Sequence, residues 1–175
     1  MKNIMVDLET LSTSPNAAIV SIGAVEFDEV LGITNTFYTN IDIQSCLNKG
    51  LEVSGSTLKW WIKQDAKASH DLFTDTKSLK EALIEFKAWL GSGNKQIWGN
   101  GAAFDNVVLE NAYAAFNSKA PWEYHEDRCY RTMRSSFPKI EMDFKGTAHN
   151  ALDDARHQAE YLIKLVEINK LGKVL

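Results

Sequence analysis

The chain has 175 residues, 45% of them hydrophobic and 24% charged, and its 19 basic and 23 acidic side chains leave a formal charge of -4. That length suits one globular domain over residues 1–175, and the 5 Trp, 5 Tyr and 8 Phe supply a core that disordered tails lack. The acidic surplus counts against a protein that grips nucleic acid through nonspecific backbone charge.

Cys46 and Cys129 lie far apart and form no CxxC pair, so neither a disulfide framework nor a structural zinc site is expected. No run approaches the roughly 18 apolar residues of a membrane span. The start MKNIMVDLE meets Asp7 and Glu9 before a signal-peptide core could form, and a cytoplasmic protein with no membrane partner is expected.

In chain order, Lys2 to Leu8 and Ala18 to Phe27 read as strands, and Ile33 to Ile41 as a third after the turn-like Asp28 to Gly32. These three should pair antiparallel. Residues 43 to 56 read as a loop, followed by a short helix from about Thr57. Ser78 can cap a helix with the apolar stripe Leu79, Ala82, Leu83, Phe86 and Leu90, ended by Gly91 and Gly93. A brief strand, Gln96 to Gly99, leads into a helix with Phe104, Val108, Ala112 and Phe116 on one face. A short strand near Arg128 to Tyr130 precedes the last helix, Ala151 to Asn169, whose stripe is Leu152, Ala155, Ala159, Leu162, Ile163 and Val166. The order predicts an α/β fold: a mixed five-stranded sheet, three antiparallel strands then two parallel, flanked by helices.

Asp7 and Glu9 are two apart on a strand, so both side chains leave the same face. Like charges there require a raised pKa, a cation, or simple solvation at the strand's end. Asp105 falls in the first turn of a helix, where an acid favours the helix dipole whatever its function. In HNALDDA, Asn150 suits the cap and Asp153 can return a bond to it, whereas Asp154 points about 100° away and is free. Each element alone is ambiguous.

Together, Val-Asp-Leu-Glu-Thr on the first strand, Gly-Asn-Gly-Ala-Ala-Phe-Asp in mid-chain and His-x-Ala-x-x-Asp opening the last helix resemble the DEDDh family of 3'-5' exonucleases. The resemblance spans essentially the whole chain, and is strongest to the small phage, prophage and mycobacterial exoribonuclease-like branch because of Thr-Leu-Lys-Trp-Trp-Ile-Lys-Gln at 57 to 64. It implies an RNase H-like fold, two Mg²⁺ or Mn²⁺ ions per site, and hydrolysis at the 3' end of single-stranded DNA or RNA to nucleoside 5'-monophosphates. Asp7 would bridge the metals, Glu9 and Asp154 would complete the first, Asp105 would hold the second, and His149 would be the general base. Such a pair of hard cations can activate water on one side of a phosphodiester and stabilise the leaving oxygen on the other. Homodimers occur among relatives.

For substrate contacts the resemblance points to Thr10 and Leu11, just after Glu9, and to Phe104 as a wedge, although Phe104 also suits core packing. On the helix from Thr57 to about Lys67, Leu58, Trp61 and Ile62 share one face, and Lys59, Lys63 and Lys67 the other. Trp60 lies among the lysines, as a stacking platform or as packing for a neighbouring loop. Arg128, Arg131, Arg134, Lys139 and Lys145 form a second basic group. His157, one turn beyond Asp153 and Asp154, reads as a surface or half-buried helix residue, with support of the site's acids as the alternative, and His70 and His125 carry no assignment. The rival classes are a noncatalytic RNase H-like binding module and an endonuclease. The charge objection weakens here, because without Asp7, Glu9, Asp105 and Asp154 the acids and bases balance at 19 each.

Overall fold

The computed structural model describes residues 1 to 64 and 72 to 169. Its strands are β1 (Lys2–Thr10), β2 (Ile19–Asp28), β3 (Gly32–Ile41), β4 (Thr76–Lys77), β5 (Lys95–Gly99) and β6 (Asp127–Cys129), ordered β4-β3-β2-β1-β5-β6 in one sheet. β1 pairs antiparallel with β2 and β2 with β3, whereas β5 runs parallel to β1 and β6 parallel to β5. The helices are α1 (Ile43–Leu47), α2 (Gly55–Trp61), α3 (Leu79–Leu90), α4 (Asp105–Ala114), α5 (Tyr130–Ser135) and α6 (Ala151–Asn169). None of the described helices is long and apolar enough to cross a membrane.

β1 lies inside the sheet and is covered on both faces, which is why it reads as a nearly unbroken apolar run. Ile4, Val6 and Leu8 face one core with Phe86 of α3 and Val108, Leu109 and Ala112 of α4. Met5 faces the other, with Trp98 of β5 and Ala155, Ala159, Leu162 and Leu165 of α6. Strand alternation therefore aims Asp7 and Glu9 towards the α6 side.

Local chemistry explains the helix ends. Ser78 Oγ accepts from the Glu81 amide at 3.3 Å and Glu81 Oε2 accepts from the Ser78 amide at 3.0 Å, a reciprocal cap that starts α3. Asn150 Oδ1 accepts from the amides of Leu152 and Asp153 at 3.1 and 3.2 Å and starts α6.

Several expectations need correction. The sheet has six strands rather than five, because the two-residue β4 pairs with the end of β3 through Asn40–Thr76 and Ile41–Lys77, too short a run for any periodicity. The expected loop at 43 to 56 contains α1, capped by Asp42, whose carboxylate accepts from the Ser45 amide at 3.0 Å. β6 ends at Cys129, and Tyr130 opens α5 where only a strand end was expected. Phe104 is the N-cap of α4 and Phe116 lies past its end, so neither belongs to the helix body. α2 ends at Trp61, so Lys63 lies beyond it and no continuous lysine stripe forms with Lys59. Of the expected apolar face only Trp61 is buried, Leu58 and Ile62 being 39% and 81% exposed. Lys67 and His70 lie outside the described residues.

Candidate active site

Three separate segments converge at one end of the sheet. β1 runs two residues past the predicted Leu8, so Asp7 and Glu9 lie within the strand, and a register irregularity follows between Glu9 and Thr10. Asp105 is the first residue of α4, reached from β5 through Asn100 and Gly101, and the next residue locks that turn. The buried Asn106 donates to Ile97 O at 3.0 Å and to Asp127 Oδ1 at 2.6 Å, joining the start of α4 to β5 and β6. Asp154 and His149 come from the opening of α6.

Two glycines permit the approach. Gly23 pairs with Asp7 on β2, and a β-carbon there would lie 2.1 Å from the Ala151 carbonyl carbon and 2.2 Å from the Leu152 nitrogen. The first turn of α6 thus rests on bare backbone beside Asp7, bringing Asp154 within electrostatic reach of it. Gly99 is the counterpart on β5, where a β-carbon would lie 2.5 Å from Asn106 Oδ1 and 3.1 Å from Asp105 Cβ. Gly23→Ala is expected to push α6 outwards, since backbone cannot yield as a side chain can, destabilising the protein by about 1 to 3 kcal/mol. A shift of that kind should cost nuclease activity roughly 100-fold, as thermal unfolding and a turnover assay on the same preparation would check.

The acids crowd one another. Glu9 and Asp105 are buried, at 8% and 4% exposure. Burial first, then the charges of Asp7, Asp154 and Asp105, pushes Glu9 up to about 10. Burial also raises Asp7 well above the ordinary carboxylate range, with Asp105 and Asp154 adding to the rise and a hydrogen bond from Gln158 opposing it. Asp105 is pushed up to about 7 by burial, against the stabilising amides of Leu8, Asp105 and Asn100 and the Arg131 charge. Asp154 is raised by burial and drawn back by His149.

Ligand atoms of Glu9, His149 and Asp154 all lie within 4.8 Å of one another. Two buried polar atoms near these acids also lack a hydrogen-bond partner: Ser21 Oγ, on the residue paired with Glu9, and Oε1 of Gln158. A hard divalent cation fits this donor set, because carboxylate oxygens predominate and the positive charge among them is small.

The remaining predicted site residues divide. Thr10, Trp60 and Phe104 line a cleft of about 430 Å³ together with Leu8, Glu9, Thr13, Ser56, Thr57 and Trp61. Leu11 does not: it is 1% exposed and packs in the core. Asp153 makes a structural bond, but it accepts from the Thr147 amide at 2.8 Å instead of bonding back to the cap. In the second basic group, Arg128 is tied to the carbonyls of His125 and Asp127, Lys139 pairs with Glu141, and Arg131 lies nearest the acids, donating to Asn100 O at 2.9 Å.

One residue escaped the sequence reading. Gln158 on α6, buried at 6% exposure, donates from Nε2 to Asp7 Oδ1 at 2.7 Å. Its signal was present, one helical turn beyond Asp154 on the same face, but an isolated Gln on a helix has no chemistry of its own.

No curated protein matches the sequence. Among solved structures, the nuclease domain of 3'hExo, a DEDDh family member bound to rAMP, superposes with a TM-score of 0.66 at 15% identity, covering 95% of this chain and 92% of that one. Exonuclease X in complex with 5' overhanging duplex DNA gives 0.60 at 16%, covering 96% and 93%. E. coli Exonuclease I in complex with a dT13 oligonucleotide gives 0.68 at 14%, and there the match covers 97% of this chain but only 42% of that longer one. The family model described as "3'-5' exoribonuclease Rv2179c-like domain" matches residues 2–166. The chain therefore belongs to the Rv2179c-like 3'-5' exoribonuclease domain family, and is a 3'-5' exonuclease that shares the fold of the DEDDh-family nuclease domain of 3'hExo.

Proposed function

We propose that this enzyme hydrolyses the last phosphodiester at the 3' end of single-stranded RNA or DNA, with two divalent cations, Mg²⁺ or Mn²⁺, held by Asp7, Glu9, Asp105 and Asp154. The observation that carries the proposal is the convergence of four carboxylates and His149 from distant segments, with Glu9, Asp154 and His149 inside a 4.8 Å span. Buried acids in such proximity are unfavourable without a cation.

Bound there, the metals would supply Lewis-acid activation of water and neutralise charge at the departing 3' oxygen. The protein's own residues do the rest. Asp7, oriented by Gln158, would be shared by the two cations, with Glu9 and Asp154 completing the ligands of one and Asp105 serving the other. His149, with a ring nitrogen within 4.8 Å of the Glu9 and Asp154 carboxylates, would take the proton from the attacking water as general base. The terminal nucleoside fits the adjoining cleft, with a ring of Trp60 available for stacking and Phe104 at its edge. Arg131, whose charge acts on Asp105, is available to a phosphate of the substrate.

The family description favours RNA, whereas two of the structural neighbours hold DNA. Matched 5'-labelled RNA and DNA oligonucleotides with Mn²⁺ test the reading. The expected pattern is a ladder shortened one residue at a time from the 3' end, with nucleoside 5'-monophosphates as products. Internal fragments would make the enzyme an endonuclease, and binding without turnover would make the chain a noncatalytic module.

A further inference from the structure

His149 is the least supported group in the site. Its backbone is left-handed, with φ of 62°, a region that side chains with a β-carbon enter at a cost. It lies next to the end of a stretch from Ser136 to Asn150 without helix or strand. Among the described residues no hydrogen bond fixes either ring nitrogen, which suits a base that must keep a lone pair open. Such a ring can be held only through its carbon edges and faces.

Those contacts come from α2. The Trp60 ring lies 4.8 Å from the His149 ring at 81°, and the Trp61 ring 6.2 Å away at 80°. Trp60 and Trp61 in turn meet at 4.9 Å and 79°. These are edge-to-face arrangements, in which aromatic rings attract beyond simple area burial. Trp61 is anchored: it is 4% exposed, and its Nε1 donates to Thr10 O at 3.0 Å, one residue beyond Glu9. A run of packed rings thus connects the strand bearing Asp7 and Glu9 to the imidazole. Trp60 remains 43% exposed and also lines the nucleotide-sized cleft.

We infer that Trp60 is a positioning residue for His149, and that a 3'-terminal base seated against Trp60 tightens this contact, so that occupancy of the cleft is transmitted to the turnover rate. The inference rests on the nuclease reading above. Trp60 keeps 43% of its surface exposed where it lines the cleft, and a base seated against that surface removes the alternative orientations of the indole that would release the imidazole. Trp60 therefore couples recognition of the terminal nucleoside to placement of the proton acceptor. A mere stacking shelf would contribute to substrate affinity alone.

A double-mutant cycle separates the two roles. Trp60→Ala should lower kcat about 10- to 100-fold, part of the roughly 10²- to 10⁴-fold that a general base contributes. In a His149→Ala background the same change should lower kcat by no more than about 2-fold, since it acts through the missing imidazole. Trp60→Phe, which keeps an aromatic ring, should recover most of kcat. With the intact enzyme, an oligonucleotide ending in an abasic residue should show reduced kcat, and that deficit should shrink in Trp60→Ala. NMR provides a readout independent of turnover: ring-current shifts of the His149 protons should persist in Trp60→Phe and vanish in Trp60→Ala. The inference is overturned if Trp60→Ala raises KM with kcat intact, if the two losses multiply, or if the His149 shifts do not depend on Trp60. Absence of mononucleotide release by the unmodified enzyme would instead overturn the nuclease reading, and the NMR shifts would still decide whether Trp60 holds His149.

Discussion

Asp7→Asn should lower mononucleotide release by at least about 10³-fold and, in the absence of metal, make the folded protein more stable. Both effects have one origin. Asp7 occupies the middle of the constellation, buried, flanked by the charges of Asp105 and Asp154 and fixed by Gln158. Asparagine keeps the shape and an oxygen that can still accept from Gln158 Nε2, so packing is conserved. What disappears is the negative charge that two cations are proposed to share, and with it repulsion that the metal-free fold otherwise relieves by holding protons. A gain of about 1 to 2 kcal/mol in EDTA is expected, read by thermal unfolding alongside the nuclease assay. Retained turnover would remove Asp7 from the site, and lost stability would show that its carboxylate supports the fold.

The second large effect is on the pH dependence of stability. In the metal-free protein Glu9 is raised by burial and by Asp7, Asp154 and Asp105 to about 10, and Asp105 by burial to about 7. In the unfolded chain both titrate near their ordinary values, 4.5 and 3.8. Above those values the folded state therefore retains protons that the unfolded chain has released. Stability is fully present at acid pH and falls as pH rises, through about 7 for Asp105 and on towards about 10 for Glu9. Between about pH 5 and 8 the two groups together should cost the metal-free fold several kcal/mol, on the order of 10 °C or more in Tm. Mn²⁺ binds the ionised carboxylates, so the stabilisation it confers should grow over the same interval. Unfolding scans in EDTA and in Mn²⁺ would measure both trends. A flat metal-free profile would mean that the acids are not coupled in this way.

Much of the fold was legible because its signals are local. The alternation of Ile4, Val6 and Leu8 against Met5, Asp7 and Glu9 set both the strand and the face of its acids. The Ser78 and Asn150 caps placed the starts of α3 and α6 closely. α1 and β4 were missed because elements of five and two residues are too short to show a period and depend on a cap or a neighbouring strand. The lysine stripe failed for a related reason: spacing at i and i+4 assumes a continuing helix, and α2 stops at Trp61.

In the site, acids and histidine announced themselves by residue type and motif. The contacts that orient them did not. Gln158 against Asp7 and Trp60 against His149 join residues far apart in sequence, and nothing in a lone glutamine or tryptophan names its partner. Gly23 is similarly silent, for the need for glycine arises only when α6 is laid across β2. Leu11 shows the reverse case, a position suggested by resemblance whose side chain turns into the core.

The most direct test is release of nucleoside 5'-monophosphate from a 3'-labelled single-stranded oligonucleotide by protein stripped of metal, followed as Mn²⁺ is added back. The expected result is no release without metal and a saturable rise with it, absent in Asp7→Asn. Equal release in EDTA, or an Asp7→Asn protein as fast as the unmodified enzyme, would contradict a metal-held carboxylate site.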